Sequence, residues 1–201
     1  MRISILFFLF YSSVTLSQQL IIGNNSKVCL EQDSNIFIAV TLPLNISKYK
    51  SIIIFSSATS VLTKEDAISI QKFVEDGGGL YIGAENWPLQ AESRQLTDLL
   101  FGKELYGINK ATNATSKDEY SNLKLSEFDS IPAGKTTVAF PLDYRLKVEA
   151  WLNDQPLILS GNYKKGRIII DGGYSRFYCE NMSKTSSELW LRFKSFLVKK
   201  K

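Results

Sequence analysis

The sequence predicts a three-layer α/β fold: a mainly parallel sheet between helices, with an antiparallel patch late in the chain. Three observations lead there. Short β-branched runs alternate with helical stretches, one strand–helix–strand unit is joined without slack, and two late runs are linked by a turn too short for a crossover.

Residues 36–40 (IFIAV) read as a buried strand. Ser51–Phe55 (SIIIF) is a stronger one, because four consecutive large apolar residues suit a strand covered on both faces. Thr63 then caps a helix, with Glu65 and Asp66 placing negative charge at its positive end. Ala67, Ile68, Ile70, Phe73 and Val74 form its apolar stripe. Gly77, Gly78 and Gly79 end it, and the chain enters a strand at 80–83 (LYIG) at once. Such a βαβ unit is right-handed and parallel.

A second helix is expected over Ala91–Phe101, with Leu96, Leu99 and Leu100 facing inward. Residues 109–122 are polar and read as an exposed loop. Runs at 136–141, 146–151, 157–160 and 167–171 supply four more strands, with 163–166 a hairpin turn between the last two. An amphipathic helix over 186–198, through Leu189, Trp190, Phe193 and Leu197, closes the chain.

The chain has 201 residues, 44% hydrophobic and 22% charged, a globular composition sized for one domain. Its net charge of +4 is scattered among acids, apart from Lys199, Lys200 and Lys201 at the end. A nucleic-acid binder concentrates its positive charge and interleaves aromatics, so that class is excluded.

The first 17 residues read as a secretory signal peptide. Met1 and Arg2 form a positive start, 3–11 are apolar, and Thr15 and Ser17 are small residues at the −3 and −1 positions of a cut after Ser17. The apolar run is about half of the roughly 20 residues a membrane-spanning helix needs. No later stretch stops transfer, so residues 18–201 are expected to form one exported domain, extracellular or of a bacterial envelope, with no membrane span.

In that compartment Cys29 and Cys179 are either bridged or two buried thiols. A bridge closing so long a loop contributes about 4–5 kcal/mol in the chain-entropy picture. Asn24, Asn45, Asn113 and Asn181 each begin an Asn-x-Ser/Thr triplet, as in a secreted glycoprotein.

Residues 49–83, YKSIIIFSSATSVLTKEDAISIQKFVEDGGGLYIG, resemble the class I glutamine amidotransferase-like superfamily, especially its ThuA-like and domain-of-unknown-function branches. The late GNYKKGRIIIDGGYS is similar to the strand that closes the sheet in those proteins. The resemblance covers about half of the exported chain and implies a flavodoxin-like sheet. It also implies a cysteine nucleophile in the turn after 80–83, helped by histidine and glutamate from other loops. Here that turn reads Gly83-Ala84-Glu85-Asn86, neither cysteine is near it, and the chain has no histidine. A Cys–His relay needs a base that titrates near neutrality. Glutaminase activity is not expected.

Ligands of open α/β sheets sit beyond the carboxyl ends of the strands. Ser56, Ser57, Glu85, Asn86, Asp171 and Tyr174 fall there. The amides of Ser56 and Ser57 could cradle an anion or form a plain turn. Glu85 and Asp171 could work as an acid–base pair, hold a divalent cation, or each hold an amide or lysine. Trp87, with Tyr174, Phe177 and Tyr178 near Cys179, could present aromatics beside Glu85, Asn86 and Arg176 to a sugar or protein, or lie buried under loops. Phe55 stands where an Asp-x-Ser-x-Ser metal motif requires aspartate, and zinc lacks its usual histidines. Ser-x-x-Lys at Ser47, Ser69 and Ser121 is coincidence in so Ser- and Lys-rich a chain. No cofactor is expected.

Three functions follow from this reading. The first is a secreted, non-catalytic amidotransferase-like domain binding a protein or glycan. The second is a hydrolase using Glu85 and Asp171 on a sugar or another small substrate. The third is a purely structural module of an extracellular protein.

Overall fold

A computed structural model describes residues 18–23, 27–30, 35–108, 113–114, 122–133, 136–152 and 154–198. The expected leader at 1–17, Asn24 and the terminal lysines lie outside the described residues, as does most of 109–122. The strands are β1 (Gln19–Gly23), β2 (Ile36–Ala39), β3 (Ser51–Phe55), β4 (Gly79–Gly83), β5 (Asn113–Ala114), β6 (Ile131–Pro132), β7 (Lys147–Leu152), β8 (Gln155–Tyr163) and β9 (Gly166–Asp171). The helices are α1 (Lys64–Glu75), α2 (Ala91–Phe101) and α3 (Lys184–Val198).

Seven strands form one sheet in the order β2-β1-β3-β4-β9-β8-β7. The first five run parallel, then β8 runs antiparallel to β9 and β7 antiparallel to β8, the expected late patch. One face buries Ile52, Ile54, Leu80 and Ile82 against α1 and α2. The other buries Ile53, Phe55, Tyr81 and Ile169 against Leu189, Trp190 and Phe193 of α3. Alternation along each strand feeds both layers, so the central strands carry no polar face. None of the helices among the described residues is long and apolar enough to cross a membrane.

The βαβ unit forms as its sequence dictates. Thr63 Oγ1 accepts the Asp66 amide at 3.1 Å while Asp66 Oδ2 accepts the Thr63 amide at 2.9 Å, a closed capping box. Gly77 leaves α1 at φ 115°, a left-handed conformation that costs glycine no steric clash. Within the predicted stripe of α1, Ile68 departs: it is exposed, while Ala67, Ile70 and Val74 point inward.

Three expectations are corrected. Gln19–Gly23, not assigned to any element, is a fully interior strand between β2 and β3, and its isoleucines are buried in both layers. Residues 36–40 are consequently not a buried strand. Since β1 takes the interior place, β2 is the sheet's edge, and Phe37 and Ile38 remain 54% and 43% exposed. The run at 136–141 is extended but does not join the sheet. It crosses over the strand ends, with its backbone hydrogen-bonded to four separate places, Asn86, Ile108, Pro156 and Gly172. Residues 113–114, expected to be loop, pair with Ile131–Pro132 as a short two-stranded ribbon.

Cys29 and Cys179 are bridged, with a Cα–Cα distance of 4.6 Å. The adjoining backbone is tied as well, since Cys29 N donates to Phe177 O and Cys179 N to Lys27 O, each at 2.9 Å.

Candidate functional site

The carboxyl ends of β3, β4 and β9 bring together the turns 56–57, 84–88 and 172–176. Over them lies a strap, residues 136–140. Asn86 N donates to Thr136 O, Val138 N to Gly172 O and Phe140 N to Pro156 O, each at 2.7 Å. Thr137, Val138, Ala139 and Phe140 are all buried, so the strap fills the crevice where an open α/β sheet offers its ligand site.

Beneath it sits a sealed ionic cluster. Asp171 is fully buried. Its Oδ2 accepts the Tyr81 phenol at 2.8 Å, and its Oδ1 accepts the Gly173 amide at 3.0 Å. Arg176 Nη1 lies 3.3 Å from Asp171 Oδ1. A Cβ on Gly173 would crowd the Arg176 guanidinium, which would have to shift to make room for it. Glu85, 1% exposed, accepts the Ser175 amide through Oε1 at 2.7 Å. Its Oε2, together with Nε and Nη2 of Arg176 and Oγ1 of Thr137, has no hydrogen-bond partner among the described residues.

Burial pushes the Glu85 carboxyl up from the usual range. The Thr136 hydroxyl, the Ser175 amide and hydroxyl and the Arg176 charge oppose that shift. Burial raises the Tyr81 phenol well above its ordinary value, and the Asp171 charge adds to this.

The 56–57 turn is held internally. Glu92, buried in the first turn of α2, accepts Ser57 N at 2.6 Å and Val61 N at 2.9 Å. Ser56 Oγ accepts Ser93 N at 3.0 Å, and Ser56 O accepts the Tyr174 phenol at 2.8 Å. An internal carboxylate therefore occupies the place that the sequence offered to an external anion.

Of the eight candidate residues, the fold gathers Glu85, Asp171 and Arg176 into one cluster and ties Tyr174 to Ser56. It leaves Trp87, 65% exposed, at the surface, with Asn86 and Ser57 half-buried beside the turns. Glu85 and Arg176 do not flank an exposed aromatic surface, because the strap covers both. Tyr174 and Phe177 pack inward, and Tyr178 is half-buried. Asn45 and Asn181 are exposed. Sequence reasoning missed Tyr81, Glu92, Thr137 and Ser175. Tyr81 did carry a signal, a phenol inside an otherwise aliphatic strand, which must find a partner when buried. No group of three metal-ligating side chains occurs among the described residues.

A groove of about 440 Å³ opens at the same end of the sheet, toward β7. Tyr106, Ile108, Leu142, Trp151 and Pro156 line it, with Asp154 at its rim. Register places it there: Ile158 pairs with Asp171, so Gln155 and Pro156 project past the carboxyl end of β9.

This sheet order, the crossovers and the strand-end turns can be compared with solved proteins. A cytoplasmic protein from Salmonella typhimurium superposes with a TM-score of 0.64 at 14% identity, over 90% of this chain and 98% of its own. A ThuA-like protein from Parabacteroides merdae gives 0.60 at 11% identity over 90% of each chain. The fold matches that of ThuA-like proteins. A cold-adapted β-galactosidase from Rahnella contains a similar unit, with a TM-score of 0.62 at 14% identity, over 92% of this chain and 32% of the enzyme. At such identities the likeness concerns the fold alone. No protein-family model matches the chain, and no curated protein sequence matches it.

Proposed function

We propose that this chain is an exported, non-catalytic member of the class I glutamine amidotransferase-like superfamily that binds a protein or glycan through its strand-end face. One observation carries the reading. The acidic groups at the strand ends are sealed under the strap and paired with Tyr81, Gly173, Ser175 and Arg176. A hydrolase needs its two carboxylates on either side of a substrate bond, and these two face the protein interior. The turn after β4 offers Ala84 and Glu85 where the resemblance implies a nucleophile.

What remains accessible at that end is apolar and aromatic: Trp87 on one side, and the groove of Tyr106, Ile108, Leu142 and Trp151 on the other. Such surfaces suit sugar faces and protein side chains. The β-galactosidase neighbour is compatible with a carbohydrate-related role. Export is supported by the leader, the Cys29–Cys179 bridge and the exposed Asn45.

The test is a glycan array and a pull-down from extracellular fluid with the parent chain, Trp87→Ala and Leu142→Asp. The reading expects capture by the parent and its loss in at least one variant. Capture unchanged in both would remove the strand-end face as the binding surface. No capture at all would favour a structural module, and turnover of a sugar substrate abolished by Glu85→Gln would restore the hydrolase.

A further inference from the structure

The two edges of the sheet are built differently. At one edge, β7 carries Lys147, two register irregularities against β8, and β5 packed beside it, all devices that prevent further strand pairing. At the other edge, β2 has no strand of the described residues outside it, and Lys48 sits over its Phe37 ring at 5.3 Å. Its register with β1 is unbroken over four residues, Gln19↔Ile36 to Ile22↔Ala39, and the strand contains no charge and no proline. Its side chains are also the most exposed apolar ones of any strand: Phe37 and Ile38 are about half exposed, and Val40, which follows directly, is 82% exposed.

We propose that β2 is the pairing edge between two copies of this chain, joined antiparallel about a twofold axis at Ile38. The register follows from the faces. Phe37 and Ala39 pair with Leu20 and Ile22 and lie on the α1–α2 face, while Ile36 and Ile38 lie on the α3 face. A twofold perpendicular to the sheet keeps each face continuous, and residues directly opposite one another share a face. Only pairings of residues with equal parity satisfy both conditions. Centred on Ile38, Ile38 meets the partner's Ile38, Ile36 meets the partner's Val40, and the large Phe37 meets the partner's small Ala39. Every pair is apolar, and the bulkiest ring faces the smallest side chain. The strand is complementary to itself, which is what an isologous contact requires. The union continues the seven-stranded sheet into its copy and satisfies the outer backbone groups of β2 on both sides.

Sedimentation velocity of the purified chain across a concentration series should show a reversible monomer–dimer equilibrium. Ile38→Lys places two like charges opposite each other and should raise the dimer Kd by about tenfold or more, with circular dichroism and thermal unfolding unchanged. Should that variant misfold, Val40→Lys sets a charge against the partner's Ile36 and should raise the dimer Kd as well. Ile38→Cys should oxidise to a covalent dimer, since directly opposed Cα atoms lie about 4.5–5.5 Å apart. Ala39→Cys should not, because its twin is displaced along the strands beyond the roughly 7 Å a disulfide can span. The native cysteines already pair with each other and leave the new thiol alone. A monomer at every concentration, a dimer indifferent to both lysine variants, or a dimer that Ile38→Cys fails to lock would each overturn the proposal.

Discussion

Arg176 Nη1 stands 3.3 Å from Asp171 Oδ1, and both side chains are closed off from solvent, at 1% and 0% exposure. Asp171 also holds the Tyr81 phenol and the Gly173 amide, so this one carboxylate joins β4, β9 and the turn after β9. Removing its charge takes from the buried Arg176 guanidinium its ion-pair partner. Asp171→Asn is therefore expected to destabilise the fold by about 3–5 kcal/mol. Tyr81→Phe, which removes one hydrogen bond, should cost about 1 kcal/mol. Urea denaturation of the two variants and their double mutant measures both costs and their coupling. Equal costs for the two would mean that the ion pair contributes nothing beyond the phenol's bond.

Glu85 adds a pH dependence with a definite sign. Burial raises its pKa in the folded state above the unfolded value, so the native chain holds this proton more tightly. Its contribution to stability is complete below the ordinary glutamate pKa and is lost as pH rises through the raised folded value. Glu85→Gln keeps an oxygen for the Ser175 amide and cannot ionise. The variant should gain stability relative to the parent as pH increases through that window. Denaturation midpoints compared between pH 4 and pH 8 (about four units, wide enough to span the window) report it, and parallel pH profiles would refute it.

The 56–61 loop depends on Glu92, which accepts amides of both Ser57 and Val61. Glu92→Ala strands two backbone donors in a partly exposed loop, where water compensates in part, and the expected cost is about 2 kcal/mol. Amide hydrogen exchange at Ser57 and Val61 should accelerate locally, while β3 stays protected. Uniform acceleration across the sheet would show Glu92 acting through global stability instead.

Replacing both Cys29 and Cys179 by serine should lower stability by about 2–5 kcal/mol, the usual range for a native bridge in a small exported domain. Strong reductant on the parent should reproduce the loss, since Cys179 is exposed and reachable. Thermal unfolding with and without reductant checks it.

The strand Ser51–Phe55, the Thr63 cap and the helix Ala91–Phe101 were legible because each is marked locally, by an apolar run, a capping box or a 3.6-residue stripe. Gln19–Gly23 was not, because five residues show no period of their own, and their place in the sheet comes from pairing with both β2 and β3. The 136–141 run misled for a related reason. It reads like a strand in sequence, yet its backbone partners are scattered over Asn86, Ile108, Gly172 and the start of β8 at Pro156, and form no continuous ladder with any one strand. That difference also decides the site. Glu85, Asp171 and Arg176 were correctly placed near the strand ends, but nothing in their spacing indicated that the strap would cover them.

By itself, then, the sequence determined the layered α/β class, the parallel βαβ start, the antiparallel finish and the absence of any imidazole, because periodicity, caps and residue identity are local properties. Tertiary structure alone decided which extended runs lie within the sheet and which lie across it. It thereby sealed Glu85, Asp171 and Arg176 inside and left β2 at the edge of the sheet. Extended conformation is encoded residue by residue, but the partner that satisfies its hydrogen bonds comes from distant parts of the chain and is chosen only when the layers close.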